Sequence, residues 1–148
     1  MFKHILVPTD GSEFSESTVR RVVSFAKEAG AEVTLFYARP DLTVTGYYGE
    51  AGLALSKAVE ENEAHAKEYA DKILAQAEIP FKEAGVKCNK LSFASLLVYE
   101  GIIDAATRCG CDLIFMASHG RSGIKALLLG SETQKVLTHS KIPVLVYR

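Results

Sequence analysis

The chain reads as an α/β protein, a three-layer, doubly wound parallel sheet with helices on both faces. Three observations predict this. Short apolar runs suited to strands alternate with longer segments at helical spacing, in the order βαβαβαβαβ. The first run, Ile5-Leu6-Val7, is continuous rather than alternating, as in a strand buried on both faces. Each strand but the last is followed by a helix-sized segment, and such crossovers make parallel neighbours of right-handed connection.

Taken in order, Ile5-Leu6-Val7 ends at the turn signal Pro8-Thr9-Asp10-Gly11, where Pro8 is expected to stop the ladder. Ser12 to Glu28 carries Val19, Val22, Val23 and Ala26 on one helix face. Ser12 and Ser15 are its candidate N-caps, and Gly30 is its stop. Glu32 to Ala38 is the second strand, rich in β-branched and aromatic residues. Residues 39 to about 54, with Pro40, Gly46, Gly49 and Gly52, have no period and predict a mobile loop. A long helix follows, with Leu55, Val59, Ala66, Tyr69, Ile73 and Ala77 near one face, and Pro80 is expected to end or kink it. Val86 to Ser92 is a third strand of weak pattern. Leu96 to Cys109 is helical, with Val98, Ile102, Ala105 and Cys109 on one side. Leu113 to Met116 is the fourth strand, Ser131 to His139 a short helix, and Pro143 to Tyr147 the last strand.

With 148 residues the chain fits one domain spanning 1–148, and at that size roughly two-thirds of the surface can be buried without staples. A net charge of −1 gives no overall pull toward nucleic acid or anionic membrane, so neither is expected as a partner. No apolar run approaches a membrane span and no signal peptide is legible, so a cytoplasmic location is expected. Three cysteines, Cys88, Cys109 and Cys111, form no disulfide framework and no zinc spacing, and read as neutral thiols.

In an open parallel sheet, ligands bind beyond the carboxyl ends of the strands, where strand order reverses. Two loops are expected there. In Pro8-Thr9-Asp10-Gly11-Ser12, Asp10 is suited to accept from a ribose hydroxyl or to hold a metal, or it is simply a turn residue. The second is Met116-Ala117-Ser118-His119-Gly120-Arg121-Ser122-Gly123, which runs on to Gly130-Ser131 at the start of a helix. Gly120 and Gly123 allow close backbone approach, and Ser131-Glu132-Thr133-Gln134 fits a capping box. A helix N-terminus beside Arg121 and Lys125 suits an anion, most naturally a phosphate chain. The alternative is a solvated loop before an ordinary capped helix. Neither the P-loop nor the dinucleotide fingerprint is present. Among the histidines, only His119 lies in a candidate ligand loop; no Ser/His/Asp arrangement is legible and no catalytic residue is assigned.

These two loops, with the terminal Pro143-Val144-Leu145-Val146, resemble the universal stress protein family over essentially the whole chain. Ile5 to Ser12 is similar to that family's first strand and turn. Gly120, the nine residues Arg121 to Leu129, and Gly130-Ser131 resemble the signature of its ATP-binding branch. Two positions depart from the pattern. Ala117 stands where the signature has its first glycine, which is harmless if the backbone there is extended, as expected where it continues a strand. Phe93-Ala94-Ser95 also lacks a glycine that many relatives carry. The resemblance implies a Rossmann-like five-stranded sheet of order 3-2-1-4-5 and a homodimer paired through the last strand. It implies ATP across the first and fourth strand tips. Pro8, Thr9, Asp10 and Ala38 would border adenine and ribose, Met116, Ala117 and Gly120 would continue the wall, and Gly130, Ser131 and Glu132 would hold phosphates, with Arg121 and Ser122 as further contacts. The function so implied is a nucleotide-dependent regulatory module in a stress response, with slow or no turnover. The alternatives are a weak ATPase using Mg2+ held by phosphates and Asp10, and a dimeric stress protein that binds no nucleotide.

Overall fold

Ile5, Leu6 and Val7 are all but fully buried, which a strand achieves only with covered faces on both sides. They form the centre of β1 (His4–Pro8). The chain continues through α1 (Glu16–Ala29), β2 (Glu32–Pro40), α2 (Gly52–Glu83), β3 (Cys88–Ser95), α3 (Val98–Cys109), β4 (Leu113–Ala117), α4 (Ser131–His139) and β5 (Val144–Tyr147). The computed structural model describes residues 1–11, 16–41, 52–118 and 130–148, without the side chains of 16–18 and 52–59. Ser12, Ser15, residues 42–51 of the loop predicted over 39–54, and the side chains of Leu55 and Val59 lie outside the described residues. The ends of that predicted loop are regular structure instead, Arg39 and Pro40 closing β2 and residues 52–54 opening α2.

The five strands are parallel and ordered β3-β2-β1-β4-β5, as the resemblance implied. One core layer, beneath α1 and α2, holds Ile5, Val7, Val22, Val33, Leu35, Leu74, Phe81 and Phe115. The other, beneath α3 and α4, holds Leu6, Phe36, Ile102, Ile114, Met116 and Val136. Adjacent residues of one strand thus serve opposite layers, which is the pleat of a doubly covered sheet.

Three helices end alike. At α1 the N–H of Gly30 donates to Lys27 O (3.1 Å) and that of Ala31 to Ala26 O (2.9 Å), a Schellman closure that needs the left-handed backbone of Gly30 (φ 63°). Gly85 and Gly110 close α2 and α3 by the same pair of bonds. Each closure turns the chain directly into the next strand, so the connections at the amino ends of the strands are short.

Some boundaries differ from expectation. The ladder does not stop at Val7. Pro8 pairs with Phe36, and the Thr9 N–H donates to Phe36 O at 2.8 Å. Pro8 can sit in the strand because a proline removes only its own donor. Pro80 does not end α2, which runs on to Glu83. The buried line of α2 is Ala70, Leu74 and Phe81, with Ile73 and Ala77 half-buried, while Tyr69 stays largely exposed with its ring edge against Tyr37. Phe93, Ala94 and Ser95 belong to β3 rather than to a loop after it. Edge position explains the weak pattern of β3. Its residues are mostly half-buried or exposed, so no strong alternation is required of them. Val98 opens α3 from an exposed position, and the buried face there is Gly101, Ile102, Ala105 and Ala106. No helix among the described residues is long and apolar enough to cross a membrane.

Candidate functional site

Strand order reverses between β1 and β4, so their carboxyl tips flank the crevice of the sheet. The β1–β4 register pairs Ile5 with Leu113 and Leu6 with Ile114. Carried forward, it sets Pro8 level with Met116. Across β1, Pro8 pairs with Phe36, so Ala38 reaches two residues past that tip. Pro8, Thr9, Ala38, Met116 and Ala117 are therefore gathered at one end of three adjacent strands.

The turn after β1 is built by its own side chains. The Gly11 N–H donates to Thr9 Oγ1 (3.3 Å), and Gly11 takes a left-handed φ of 78°. A Cβ at Gly11 would meet Ile73 Cδ1 of α2 at 2.7 Å. Glycine there satisfies both the turn and the approach of α2. Asp10 is exposed at the tip.

Across the crevice, Ala117 ends β4 in register with Tyr147. No non-glycine residue among those described has positive φ. Ala117 thus occupies an extended backbone in which its methyl group carries no conformational cost. The Ser118 N–H donates to Tyr147 O (2.8 Å), and Ser118 O accepts from the Gly130 N–H (2.7 Å). Thr133 Oγ1 donates to Ala117 O (3.1 Å). Two bonds therefore fix the first turn of α4 against the tip of β4. Ser118 and Thr133 are both buried, and sequence reasoning passed over them as site-forming residues. The available signal was a threonine three residues before Val136, on the face that α4 buries.

The predicted capping box is absent. Gly130 is the N-cap of α4, Ser131 is its first helical residue, and the N-cap, being glycine, supplies no capping side chain. Gly130 has φ −56° and ψ 148°, a backbone that any residue adopts, so glycine is not needed here for its conformation. Its consequence is chemical. With no N-cap side chain, the N–H groups of the first turn keep their capacity for an external acceptor.

The Glu132 side chain turns away from its own helix end. Its Oε2 accepts the backbone N–H of Tyr99 (2.9 Å), in the first turn of α3, and Oε1 lies 3.3 Å from Lys135 Nζ. The Tyr99 ring packs on His139, centroids 5.0 Å apart. Of the other expected site residues, Gly120, Arg121 and Ser122 lie outside the described residues, as do His119 and Lys125. A separate groove of about 980 Å³ opens on the opposite face between α1 and α2. Its walls include Val7, Val22, Leu35, Ile73 and Phe81, together with Thr9 and Gly11 of the turn after β1.

A doubly wound sheet of order 3-2-1-4-5, with an uncapped helix start beside its central crevice, defines a Rossmann-like α/β protein. The model of the universal stress protein family matches residues 1–148, and the chain belongs to that family. It is 32% identical over 158 residues to universal stress protein MJ0577 of Methanocaldococcus jannaschii, covering 100% of this chain and 96% of that protein. The solved structure of MJ0577 superposes with a TM-score of 0.81 at 29% identity, covering 99% of this chain and 95% of that one. Two further solved structures share the fold. A universal stress protein in complex with cAMP has a TM-score of 0.66 at 23% identity, covering 99% and 97%. The Archaeoglobus fulgidus protein in complex with dAMP has 0.65 at 16%, covering 99% and 98%.

Proposed function

We propose that this chain is a single-domain, cytoplasmic, ATP-binding member of its family, acting as a nucleotide-dependent regulatory module in a stress response. The observation that carries the reading is the start of α4. It is a helix N-terminus with a side-chain-free cap, held at the strand tip that borders the crevice. Such an end presents N–H donors and partial positive charge to a phosphate. Relatives of the same fold bind cAMP and dAMP, which supports an adenine nucleotide as the ligand class.

In this reading adenine and ribose lie against Pro8, Thr9, Asp10 and Ala38. Met116, Ala117 and Gly120 form the wall between base and phosphates. Ser131 and the N–H of Glu132 hold the phosphates, while Gly130, whose own N–H is given to Ser118 O, leaves their approach open for want of a side chain. Arg121 and Ser122 lie beside them, with Mg2+ on the phosphate oxygens. Slow or no turnover is expected, the nucleotide serving as a bound signal rather than as a substrate. The protein is a homodimer paired through β5, and bound nucleotide alters its partner contacts.

The test begins with mass spectrometry of nucleotide released by denaturing the purified protein, followed by calorimetric titration with ATP and Mg2+. Stoichiometric ATP, or micromolar binding, is expected. Gly130→Asp puts a carboxylate at the N-cap, where it competes for the same N–H donors, and should weaken ATP at least tenfold while sparing the fold. No bound nucleotide and no binding at millimolar ATP overturns the reading in favour of a non-nucleotide stress protein.

A further inference from the structure

A carboxylate on the second residue of a phosphate-binding helix is an electrostatic liability, because it stands where the ligand's negative charge is to be held. Glu132 occupies that position in α4. Its side chain crosses to the neighbouring helix, where Oε2 accepts the Tyr99 N–H at 2.9 Å. That donor belongs to the first turn of α3, whose N-cap, Leu97, offers no side-chain acceptor. Glu132 is thus the cap that α3 lacks, supplied by another helix. The charge is engaged a second time by Lys135, one turn along α4, with Nζ 3.3 Å from Oε1. Lys135 Nζ also lies 5.8 Å from the centroid of the Tyr99 ring.

We propose that Glu132 is a positioning residue, a tether that ties the start of α4 to the start of α3 and keeps its own charge out of the phosphate site. The proposal rests on the nucleotide reading above and goes beyond it. There Glu132 contributes a backbone N–H; here its side chain sets where that N–H stands. Three anchors then hold the first turn of α4: Ser118 O on the Gly130 N–H, Ala117 O on Thr133 Oγ1, and the Tyr99 N–H on Glu132. The first two join α4 to β4, and only the third joins it to another helix. Without it, the first turn of α4 loses its hold on α3 and its donors shift off the phosphates, while Val136 in the core and His139 on Tyr99 still seat the rest of the helix.

Two substitutions separate the roles. Glu132→Gln keeps an acceptor for the Tyr99 N–H but removes the charge. Glu132→Ala removes both. Calorimetry with ATP and with adenosine, on the full chain of each variant, isolates the phosphate-dependent part of binding. The Ala variant should weaken ATP about fivefold, the scale of one lost cap interaction, with adenosine unchanged. The Gln variant should bind ATP at least as well as the parent. Amide hydrogen exchange checks the tether without nucleotide: the Tyr99 N–H should exchange faster in the Ala variant and stay protected in the Gln variant. An Ala variant with lower Tm but an unchanged ATP-to-adenosine ratio makes Glu132 merely structural and overturns the proposal. So does an Ala variant that binds ATP more tightly, since repulsion would then outweigh positioning. If the parent protein binds neither ligand, the nucleotide reading itself falls and this proposal with it, whatever the Tyr99 exchange shows.

Discussion

The cysteines show how position decides the chemistry of one residue type. Burial pushes the Cys111 thiol up to about 12, with Cys109 and Asp112 adding to the shift, and burial pushes Cys88 up to about 11, with Glu78 contributing. A thiol is a nucleophile only as thiolate, and at pH 8 a group of pKa near 11 is about one-thousandth ionised. Cys88 and Cys111 should therefore resist a thiol reagent at pH 8 in the native protein and react readily in denaturant. Mass spectrometry of the labelled peptides checks this. Because the folded-state values are raised, the stability these thiols contribute is complete below the unfolded thiol pKa. It is lost as pH rises from about 8.5 through the folded values. The neutral thiols expected from the sequence follow from an odd cysteine count and the absence of zinc spacing. The degree of suppression was not legible, because it depends on which neighbours the sheet brings within range.

At the scale of the element, α3 lies against the sheet through a glycine. A Cβ on Gly101 would meet Ser95 Cβ and Oγ at 2.9 Å, with Phe36 Cζ behind them at 3.6 Å. Ser95 is not free to give way, since its Oγ donates to Leu97 O at 2.7 Å and so shapes the entry to the helix. Alanine is the better helix former by about 1 kcal/mol, but overpacking a fitted contact costs about 1–3 kcal/mol. The clash should win, so Gly101→Ala should lower stability in urea titration, against propensity. This also marks the boundary of what sequence pattern carries. Ile5-Leu6-Val7 and Leu113 to Met116 were readable as strands because burial on both faces demands continuous apolar runs. The span of α4 was readable because Gly130 and Pro143 punctuate it on either side. The capping box was misread because Ser131 has the right residue type one position too far along. The cross-helix bond from Glu132 to Tyr99 joins residues 33 apart in sequence, and no local pattern encodes it. The resemblance supplied expectations for the glycine loop, whose residues lie outside the described ones, whereas the bonds of the buried Ser118 and Thr133 between β4 and α4 needed the fold.

For the molecule as a whole, pH and assembly test different surfaces. At the amino end of the sheet, the Asp112 carboxylate accepts the Lys3 N–H at 2.8 Å and the His4 N–H at 3.1 Å, joining β1 to β4. Burial opposes its ionisation, but these backbone donors outweigh burial and hold its pKa below the ordinary value. Glu32 is held low by Lys87 and Glu78 by Lys90, each against a smaller effect of burial. All three folded-state values are depressed, so their contribution is present above the unfolded carboxyl pKa and lost as pH falls through the folded values. The urea midpoint should be flat from about pH 5 to 7 and fall below about pH 4, and Asp112→Asn should lower the plateau and flatten that fall. The opposite question concerns β5, an edge strand in the chain's own sheet. Pro143 O and Tyr147 O accept from Ile114 and Ser118, so the odd-numbered residues of this strand bond inward to β4. In a parallel ladder the intervening residues, Val144 and Val146, direct their backbone groups outward. If the homodimer pairs through β5, its bonds must use those groups. Val146→Pro removes an outward donor without touching the ladder to β4, and proline is tolerated on an edge. Sedimentation velocity should show dimer for the parent chain and monomer for Val146→Pro, with circular dichroism unchanged. A variant that stays dimeric would place the interface elsewhere, with the start of β5 and its outward valines left as an ordinary exposed edge.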